Sequence, residues 1–207
     1  PNPSTIKAGL RADGTPVLHQ GAMDIGQGAN TVIAQIFATA LGCPLAAVEL
    51  VSPDTDVTPD AGKTSASRQT YVSGEAARLT GQALRARILK LCNAGANAEI
   101  HFDDDALRIT DGTQSHEITL GQLASDAEGY VLRAEETYDP PTKPLDENGQ
   151  GVPYAQFGYA AHLVLAEVDT ELGTVRARRF IAAHDVGKAI NPLLVEGQVE
   201  GGIAQGL

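Results

Sequence analysis

The segment from Gly21 to Leu41, GAMDIGQGANTVIAQIFATAL, constrains the fold most, because it joins a predicted strand to a helix through a glycine-bracketed turn. Asn30 is predicted to cap this helix, and apolar residues recur after it at helical spacing: Val32, Ile33, Ile36, Phe37, Ala40 and Leu41. Gly26 and Gly28 have no Cβ, so unpaired backbone N–H groups and the positive end of the helix dipole could face a ligand closely. With the amide of Gln27 between the two glycines, the turn favours a polar, planar ligand that carries phosphate.

Two other interpretations of this turn stay open from the residues alone. Many glycine-rich turns between a strand and a helix only let the chain reverse sharply. The turn also has some features of the dinucleotide-binding fingerprint, with Glu49 in the place of the ribose-binding acid about twenty residues further on. That match is incomplete, because Thr31 stands where the third small residue belongs and Glu49 lies inside an apolar run.

The composition restricts the classes of partner. A chain of 207 residues is long enough for one large domain or two small ones with a core of their own, so we expect it to fold, or nearly so, in isolation. The net charge of -11 argues against nucleic acid, which proteins hold mainly with Lys and Arg. No apolar run is long enough to span a bilayer, so no membrane is expected as a partner.

The sequence shows no pattern typical of a metal site. Cys43 and Cys92 stand singly in apolar stretches, without a C-x-x-C pair or a histidine at ligand spacing, and are predicted to be buried thiols. The acidic triplet at residues 103–105 is predicted to be a solvated turn, because adjacent side chains diverge. His184 and Asp185 could form an acid–base pair, but no nucleophile accompanies them and a structural role is favoured. We therefore assign no catalytic and no metal-ligating residue.

The chain contains both strand-like and helix-like segments. The predicted strands are residues 4–10, 16–24, 47–52, 98–102, 106–110, 115–119, 130–136, 159–169 and 174–183. The strand at 47–52 is predicted to be buried. Predicted helices follow Asn30, run from Gly74 to Leu91 with Ser73 as cap, cover 120–124, and begin near the C-terminus at Asn191-Pro192.

Two further stretches could contact a ligand. The irregular loop at residues 53–74 contains a run of small polar residues at 64–67, which can hydrogen-bond a ligand without filling its space, although such runs are also ordinary loop chemistry. Along the final helix Gln198, Gly201, Gly202 and Gln205 share one face. That face could admit a flat polar ligand, or it could pack tightly against a sheet.

The organisation of the chain has two notable points. A Pro- and Gly-rich stretch predicts a surface loop or a subdomain boundary near residues 139–155. The chain begins without Met and stops within a helical pattern, at GGIAQGL, so we expect residues 1–207 to be a fragment of a longer protein.

Three ordered motifs resemble the molybdopterin-binding large subunit of the xanthine dehydrogenase/aldehyde oxidase family of molybdenum hydroxylases. They are DIGQGANTVIAQIFATALG, KTSASRQTYVSGEA and HDVGKAINPLLVEGQVEGGIAQGL. The similarity is sharp over about residues 15–90 and 155–207. It implies an α+β fold of layered mixed and antiparallel sheets with packed helices, in two related subdomains. It also places the chain in the second, C-terminal half of the cofactor-binding region.

The resemblance also implies a site. Residues that match the family's contacts with the molybdopterin cofactor are Gly26, Gln27, Gly28, Ser65, Ala66, Ser67 and Gln198. The implied reaction is hydroxylation of an aldehyde or an N-heterocycle such as a purine, with water as the oxygen source. Iron–sulfur clusters and FAD on other domains or subunits would carry the electrons away, in a cytoplasmic protein.

The family's catalytic glutamate lies downstream of the final helix, and neither Glu196 nor Glu200 matches its motif. The 207 residues alone are therefore expected to be inactive. A different class of function, a non-catalytic module that binds a nucleotide-like ligand or another protein, is the alternative.

Overall fold

The computed structural model describes residues 2–103 and 105–207, and its contacts divide the chain into two compact units. Unit 1 ends at Pro141, and unit 2 comprises Thr142–Leu207. This point of division lies within the predicted boundary region, residues 139–155. The fold is α+β, as the sequence predicts.

Unit 1 contains two sheets and two helices. Its strands are β1 (Ser4–Arg11), β2 (Pro16–Gln20), β3 (Glu49–Val51), β4 (Glu99–Asp103), β5 (Ala106–Asp111), β6 (Gln114–Thr119) and β7 (Tyr130–Tyr138). Its helices are α1 (Ala29–Leu41) and α2 (Gln69–Leu91), with short 3-10 helices at Leu45–Ala47 and Leu120–Gln122.

The main sheet has the order β3-β2-β1-β7. β1 and β2 form an antiparallel hairpin through the predicted Asp13-Gly14 turn, in which the Asp13 carboxylate accepts the N–H of Thr15 at 3.0 Å. β7 returns antiparallel to β1, while β3 pairs in parallel with β2. The chain leaves β2 at Gln20 and passes through the glycine turn before α1 begins at Ala29.

Helices α1 and α2 pack on each other and share the core of the main sheet. Gly81 permits this close approach, because a Cβ added there would lie 2.9 Å from both the Ala40 Cβ and the Phe37 carbonyl oxygen. Fully buried side chains from strands and helices form this core: Ile6, Leu10, Leu18, Ile33, Phe37, Leu84 and Ile88.

The second sheet is the antiparallel meander β4-β5-β6. Its strands agree with the three short predicted strands to within one residue at each end. Its buried residues Ile100, Leu107 and Ile109 belong to the same core cluster as the main sheet. The predicted acidic turn at 103–105 can be followed only in part, because residue 104 lies outside the described residues.

Unit 2 consists of an antiparallel hairpin and a helix. Strands β8 (Tyr159–Asp169) and β9 (Thr174–Asp185) pair along their lengths, and α3 (Pro192–Gly206) follows. As predicted, Asn191 caps α3, because its side-chain oxygen accepts the N–H of Leu194 at 3.2 Å. None of the residues 142–207 is buried.

Several predicted elements differ from the structure. The strand predicted at residues 16–24 ends at Gln20, and the helix predicted at 120–124 is the 3-10 helix Leu120–Gln122. α2 begins at Gln69 rather than Gly74, and Ser73 lies inside the helix, where its hydroxyl is satisfied by the Gln69 side chain and by the Ser4 hydroxyl at 2.8 Å. α1 begins one residue before Asn30, which is no cap because its side-chain oxygen accepts from Gln20 instead. These polar side chains found tertiary partners, which local pattern does not reveal.

The predicted buried strand at 47–52 is also shorter and more exposed than expected. Residues Leu45–Ala47 form a 3-10 turn, and only Glu49–Val51 pair with β2, at the edge of the sheet. Within the described part of the chain, no helix has the length and apolar character needed to cross a bilayer.

Candidate functional site

The turn between β2 and α1 is organised by the carboxylate of Asp24. One of its oxygens accepts the N–H groups of Gly26 at 2.9 Å and Gly28 at 3.2 Å, and the other accepts the N–H of Asn30 at 3.0 Å. Partial burial acts to raise the pKa of Asp24, but these three donors outweigh it and lower that pKa, so the group is ionised at neutral pH. Asp24 therefore occupies the position of the expected ligand anion.

This arrangement corrects one prediction from the sequence. The N–H groups of Gly26 and Gly28 are not available to a phosphate, because they already donate to a charged side chain in the protein. The glycines are still required, since φ is 104° at Gly26 and 81° at Gly28, a region that side chains with a Cβ rarely adopt.

Gln27 folds back onto its own turn. Its side-chain oxygen accepts the N–H of Ile25 at 2.7 Å, and its amide nitrogen donates to the Met23 carbonyl at 3.1 Å. A primary amide has two donor hydrogens and two acceptor lone pairs, so the half-buried Gln27 keeps one of each for a ligand. Met23 and Ile25, whose backbone groups hold this amide, have side chains that are 52% and 74% exposed.

The loop before α2 reaches the same turn. The hydroxyl of Thr64 donates to the Met23 carbonyl at 3.1 Å, and that carbonyl also accepts from Gln27. The Met23 carbonyl therefore links Gln27, in the predicted contact segment Gly26–Gly28, to Thr64, the residue before the predicted contact segment Ser65–Ser67.

Residues Ser65–Ser67 form an exposed loop tip with an uncommon backbone. Ala66 and Ser67 have φ values of 54° and 51°, so two consecutive residues with a Cβ are left-handed. Each such residue costs about 1–2 kcal/mol, and strain of this kind concentrates at binding sites. Among the contacts of the described residues, the hydroxyls of Ser65 and Ser67 have no protein partner and remain accessible to a ligand.

Gln198 lies on α3 in unit 2 and is exposed. On the same face a Cβ added at Gly201 or Gly202 would meet nothing within 4 Å, so the helix presents open backbone there. The participation of Gln198 in the site remains a prediction.

Other polar candidates have partners of their own. His184 contacts His162 across the hairpin, with 2.8 Å between the two Nε2 atoms, whereas the Asp185 carboxylate accepts the N–H of Gly187. His184 and Asp185 therefore do not form the acid–base pair considered above. Glu49 binds Arg11 through two hydrogen bonds, so it is not available as the ribose-binding acid of a dinucleotide site.

The cysteines are free thiols that are half-buried rather than fully buried. Burial raises the pKa of Cys43 to about 11, which keeps it protonated and unreactive at neutral pH. Among the described residues, no group of three or more histidine, cysteine, aspartate or glutamate side chains is arranged to hold a metal ion.

Two organising residues were missed from the sequence. Asp24 could have been recognised, because an aspartate a few residues before a helix often caps its first turn. Arg68 gave no such signal. Its side chain is buried against backbone carbonyls brought together only by the fold.

Comparison with known proteins shows the family of this chain. The molybdopterin cofactor-binding domain family matches residues 1–207. The putative xanthine dehydrogenase molybdenum-binding subunit of Escherichia coli K12 is 32% identical over 213 residues, covering 96% of this chain and 26% of the relative. The carbon monoxide dehydrogenase large chain of Hydrogenophaga pseudoflava is 28% identical, covering 95% of this chain and 24% of the relative. The chain thus spans about a quarter of the length of these curated relatives.

Solved structures agree with this assignment. The aldehyde oxidoreductase from Desulfovibrio gigas superposes with a TM-score of 0.77 at 25% identity, covering 99% of this chain and 20% of that one. The aldehyde oxidoreductase from Desulfovibrio desulfuricans superposes with a TM-score of 0.76 at 28% identity, covering 100% of this chain and 20% of that one. The chain belongs to the molybdopterin cofactor-binding domain family, and it corresponds to the molybdopterin-binding region of the molybdenum hydroxylases.

Proposed function

We propose that this chain forms part of the cofactor-binding region of a molybdenum-dependent oxidoreductase of the xanthine dehydrogenase/aldehyde oxidase type. In this proposal the Gly26–Gly28 turn, the Ser65–Ser67 loop tip and Gln198 contact the molybdopterin cofactor. One observation carries it for unit 1: Gln27 and Thr64 both donate to the Met23 carbonyl, which joins the two segments into one surface.

The groups on this surface fit a neutral, hydrogen-bonding part of a pterin. Gln27 can still donate and accept, and the hydroxyls of Ser65 and Ser67 can do both. A pterin edge also alternates donors and acceptors, so neutral side chains can satisfy it without adding charge. The small side chain of Ala66 lets a flat ring come close.

The phosphate of the cofactor does not fit beside the turn. The ionised Asp24 lies there and would repel another anion at short range. We therefore assign the pterin, and not the phosphate, to the Gly26–Gly28 turn. The exposed Met23 and Ile25 would lie beside the ring and exclude water from the hydrogen bonds.

When bound, the molybdenum cofactor would supply the redox centre for hydroxylating an aldehyde or an N-heterocycle with oxygen from water. The residues of this chain bind and orient the cofactor, and we assign no catalytic base to them. Iron–sulfur and flavin groups on other domains or subunits would accept the electrons, in a cytoplasmic enzyme.

Replacing Gln27 by Ala in the complete expressed protein tests this proposal. Loss of the amide removes hydrogen bonds to the cofactor and should weaken its binding by about 1–3 kcal/mol, so molybdenum and pterin content should fall. The matched control is Gln122→Ala, the same substitution at an exposed position in a 3-10 helix. Metal analysis that finds wild-type molybdenum in Gln27→Ala would contradict the proposal.

A further inference from the structure

The side chain of Arg68 is buried and is held by backbone carbonyls, with the negative charge of Asp60 acting on it only from a longer distance. It is 9% exposed, and among the described residues no carboxylate lies within 4.0 Å of its guanidinium. Instead the guanidinium donates to backbone carbonyls of Ala61 at 2.7 Å, Lys63 at 3.0 Å and Pro3 at 3.3 Å, and also to that of Asn2. A buried charge is tolerated when several dipoles replace its water, and here backbone carbonyls do so.

Helix stability does not explain an arginine at this position. Arg68 is the residue before α2, where the helix dipole is positive and a cation is disfavoured. Its hydrogen bonds run backwards along the chain, to residues five and seven positions earlier in the loop and to the residues just before β1. The side chain therefore holds the loop rather than the helix.

The loop that Arg68 holds contains the two strained residues. The carbonyl of Lys63 accepts from both Arg68 and Gln69, and Gln69 also donates to the hydroxyl of Thr64 at 3.2 Å. The chain on one side of Ala66 and Ser67 is thus tied to the chain on the other. Left-handed backbone at residues with a Cβ persists only where the surroundings enforce it, and these bonds are what enforce it.

The same bonds set the distance between the two contact segments. Thr64 joins the loop to Met23, and Met23 is joined to Gln27. A loop that moves at Lys63 would carry Thr64 away from the turn. We infer that Arg68 is a positioning residue for the cofactor site, which presents Ser65–Ser67 against the Gly26–Gly28 turn; this inference rests on the function proposed above.

Tryptic cleavage after Lys63 measures this positioning without any enzyme assay. A protease must extend the chain around its cleavage site, and the Lys63 carbonyl is one that Arg68 binds. In the complete protein prepared without cofactor, Arg68→Ala should speed this cleavage about tenfold at a temperature well below the melting point. Arg68→Lys keeps the charge but loses the planar guanidinium group with its several donors. Its cleavage rate should therefore lie between those of the wild type and of Arg68→Ala.

The matched control is Arg78→Ala on the same helix. Arg78 binds Glu75 at the surface, with 2.6 Å between Nη2 and Oε1, and contacts no residue of the loop. Cleavage after Lys63 should proceed at the wild-type rate in this variant. Equal rates in Arg68→Ala and Arg78→Ala would overturn the inference.

Molybdenum content is the second readout. Arg68→Ala should lower it about fivefold in protein that is still folded, comparable with the loss of one or two hydrogen bonds to the cofactor. Leu107→Ala, in the core beneath the second sheet, controls for stability, because it weakens the fold without touching the loop. An equal loss of molybdenum in Leu107→Ala would overturn the positioning role.

Gln27→Ala separates failure of the inference from failure of the proposed function. If Gln27→Ala loses molybdenum and Arg68→Ala keeps it despite faster cleavage, the inference is wrong and the proposed function stands. If neither variant loses molybdenum, the proposed function is wrong and the inference falls with it.

Discussion

Units 1 and 2 differ sharply in how far their apolar side chains are buried. Unit 1 gathers its apolar side chains from two sheets and two helices into one buried cluster. In unit 2, none of residues 142–207 is buried, and Leu163, Val164 and Leu165 are 57%, 41% and 51% exposed. The expectation that the helices and hairpins of this chain bury a core of their own is therefore correct for unit 1 and wrong for unit 2.

The exposed residues of unit 2 are not distributed like those of a surface strand. Successive side chains of a strand point to opposite faces, so three consecutive apolar residues in β8 make both faces apolar. Strands that are buried on both faces have this pattern. In β5, by contrast, the buried Leu107 and Ile109 alternate with the exposed Arg108, as expected for a sheet with one buried face.

Separating the units should give the largest effect. A polypeptide of residues 1–141 contains the complete buried cluster and should unfold in one cooperative thermal transition. Residues 142–207 contain an isolated hairpin and one helix, which are marginal in water by themselves, and should show no cooperative transition. Circular dichroism melting of the two polypeptides checks this, and a sharp transition in 142–207 would remove the contrast.

Truncating one large side chain in each unit should sharpen the contrast. Phe37 is fully buried between the helices and the sheet, and Phe37→Ala should lower the free energy of unfolding by about 3–5 kcal/mol. Leu163→Ala, at a residue that is 57% exposed, should change it by about 0.5 kcal/mol or less. Urea titrations of both variants measure the difference, and similar losses would show that the hairpin is packed as tightly as the core.

The same substitution at two helical glycines should act with opposite sign. Gly81→Ala places a Cβ 2.9 Å from a backbone oxygen of α1, so it should destabilise unit 1 by about 1–3 kcal/mol. Gly201→Ala in α3 meets nothing within 4 Å and should favour the helix by about 0.5–1 kcal/mol. Urea unfolding reports the first change and the helical circular dichroism of unit 2 the second. A destabilising Gly201→Ala would mean that α3 is closely packed.

The smallest predicted effect is a pH dependence that belongs to unit 1. His19 is 6% exposed, its Nε2 lies 2.6 Å from the Tyr130 hydroxyl, and its Nδ1 has no partner among the described residues. Burial, assisted by the charge of Lys7, lowers the pKa of His19 below its ordinary value of 6.5.

The direction of this pH dependence follows from the protons bound to His19 in the folded and in the unfolded chain. Above pH 6.5 the imidazole is neutral whether the chain is folded or unfolded, and its full contribution to stability is present. Below that pH the unfolded chain binds a proton that folded His19 resists, so the free energy of unfolding falls as the pH is lowered through 6.5. Melting temperatures at pH 5 and pH 7.5 should diverge more for the wild type than for His19→Gln, and an equal divergence would show that other groups are responsible.

Most elements of unit 1 were predictable because their signals are local. The Asp13-Gly14 turn, the strands β4 to β6 and the apolar spacing of α1 depend on neighbours within a few residues. The cap at Asn191 is similar. The start of α2 was missed because Ser73 resembles a cap in sequence, yet its hydroxyl binds Ser4 on a distant strand.

The sequence by itself predicted which segments could form a ligand site, because glycines, which can adopt positive φ, and small hydroxyl residues are visible in the chain. Only the tertiary structure decided which groups are available there. The carboxylate of Asp24 takes the turn's N–H groups, and Thr64 meets the Met23 carbonyl across 41 positions of sequence. Arg68 finds its carbonyls in the same way. A hydrogen bond depends on where two groups lie in space, and for distant residues only packing sets that distance.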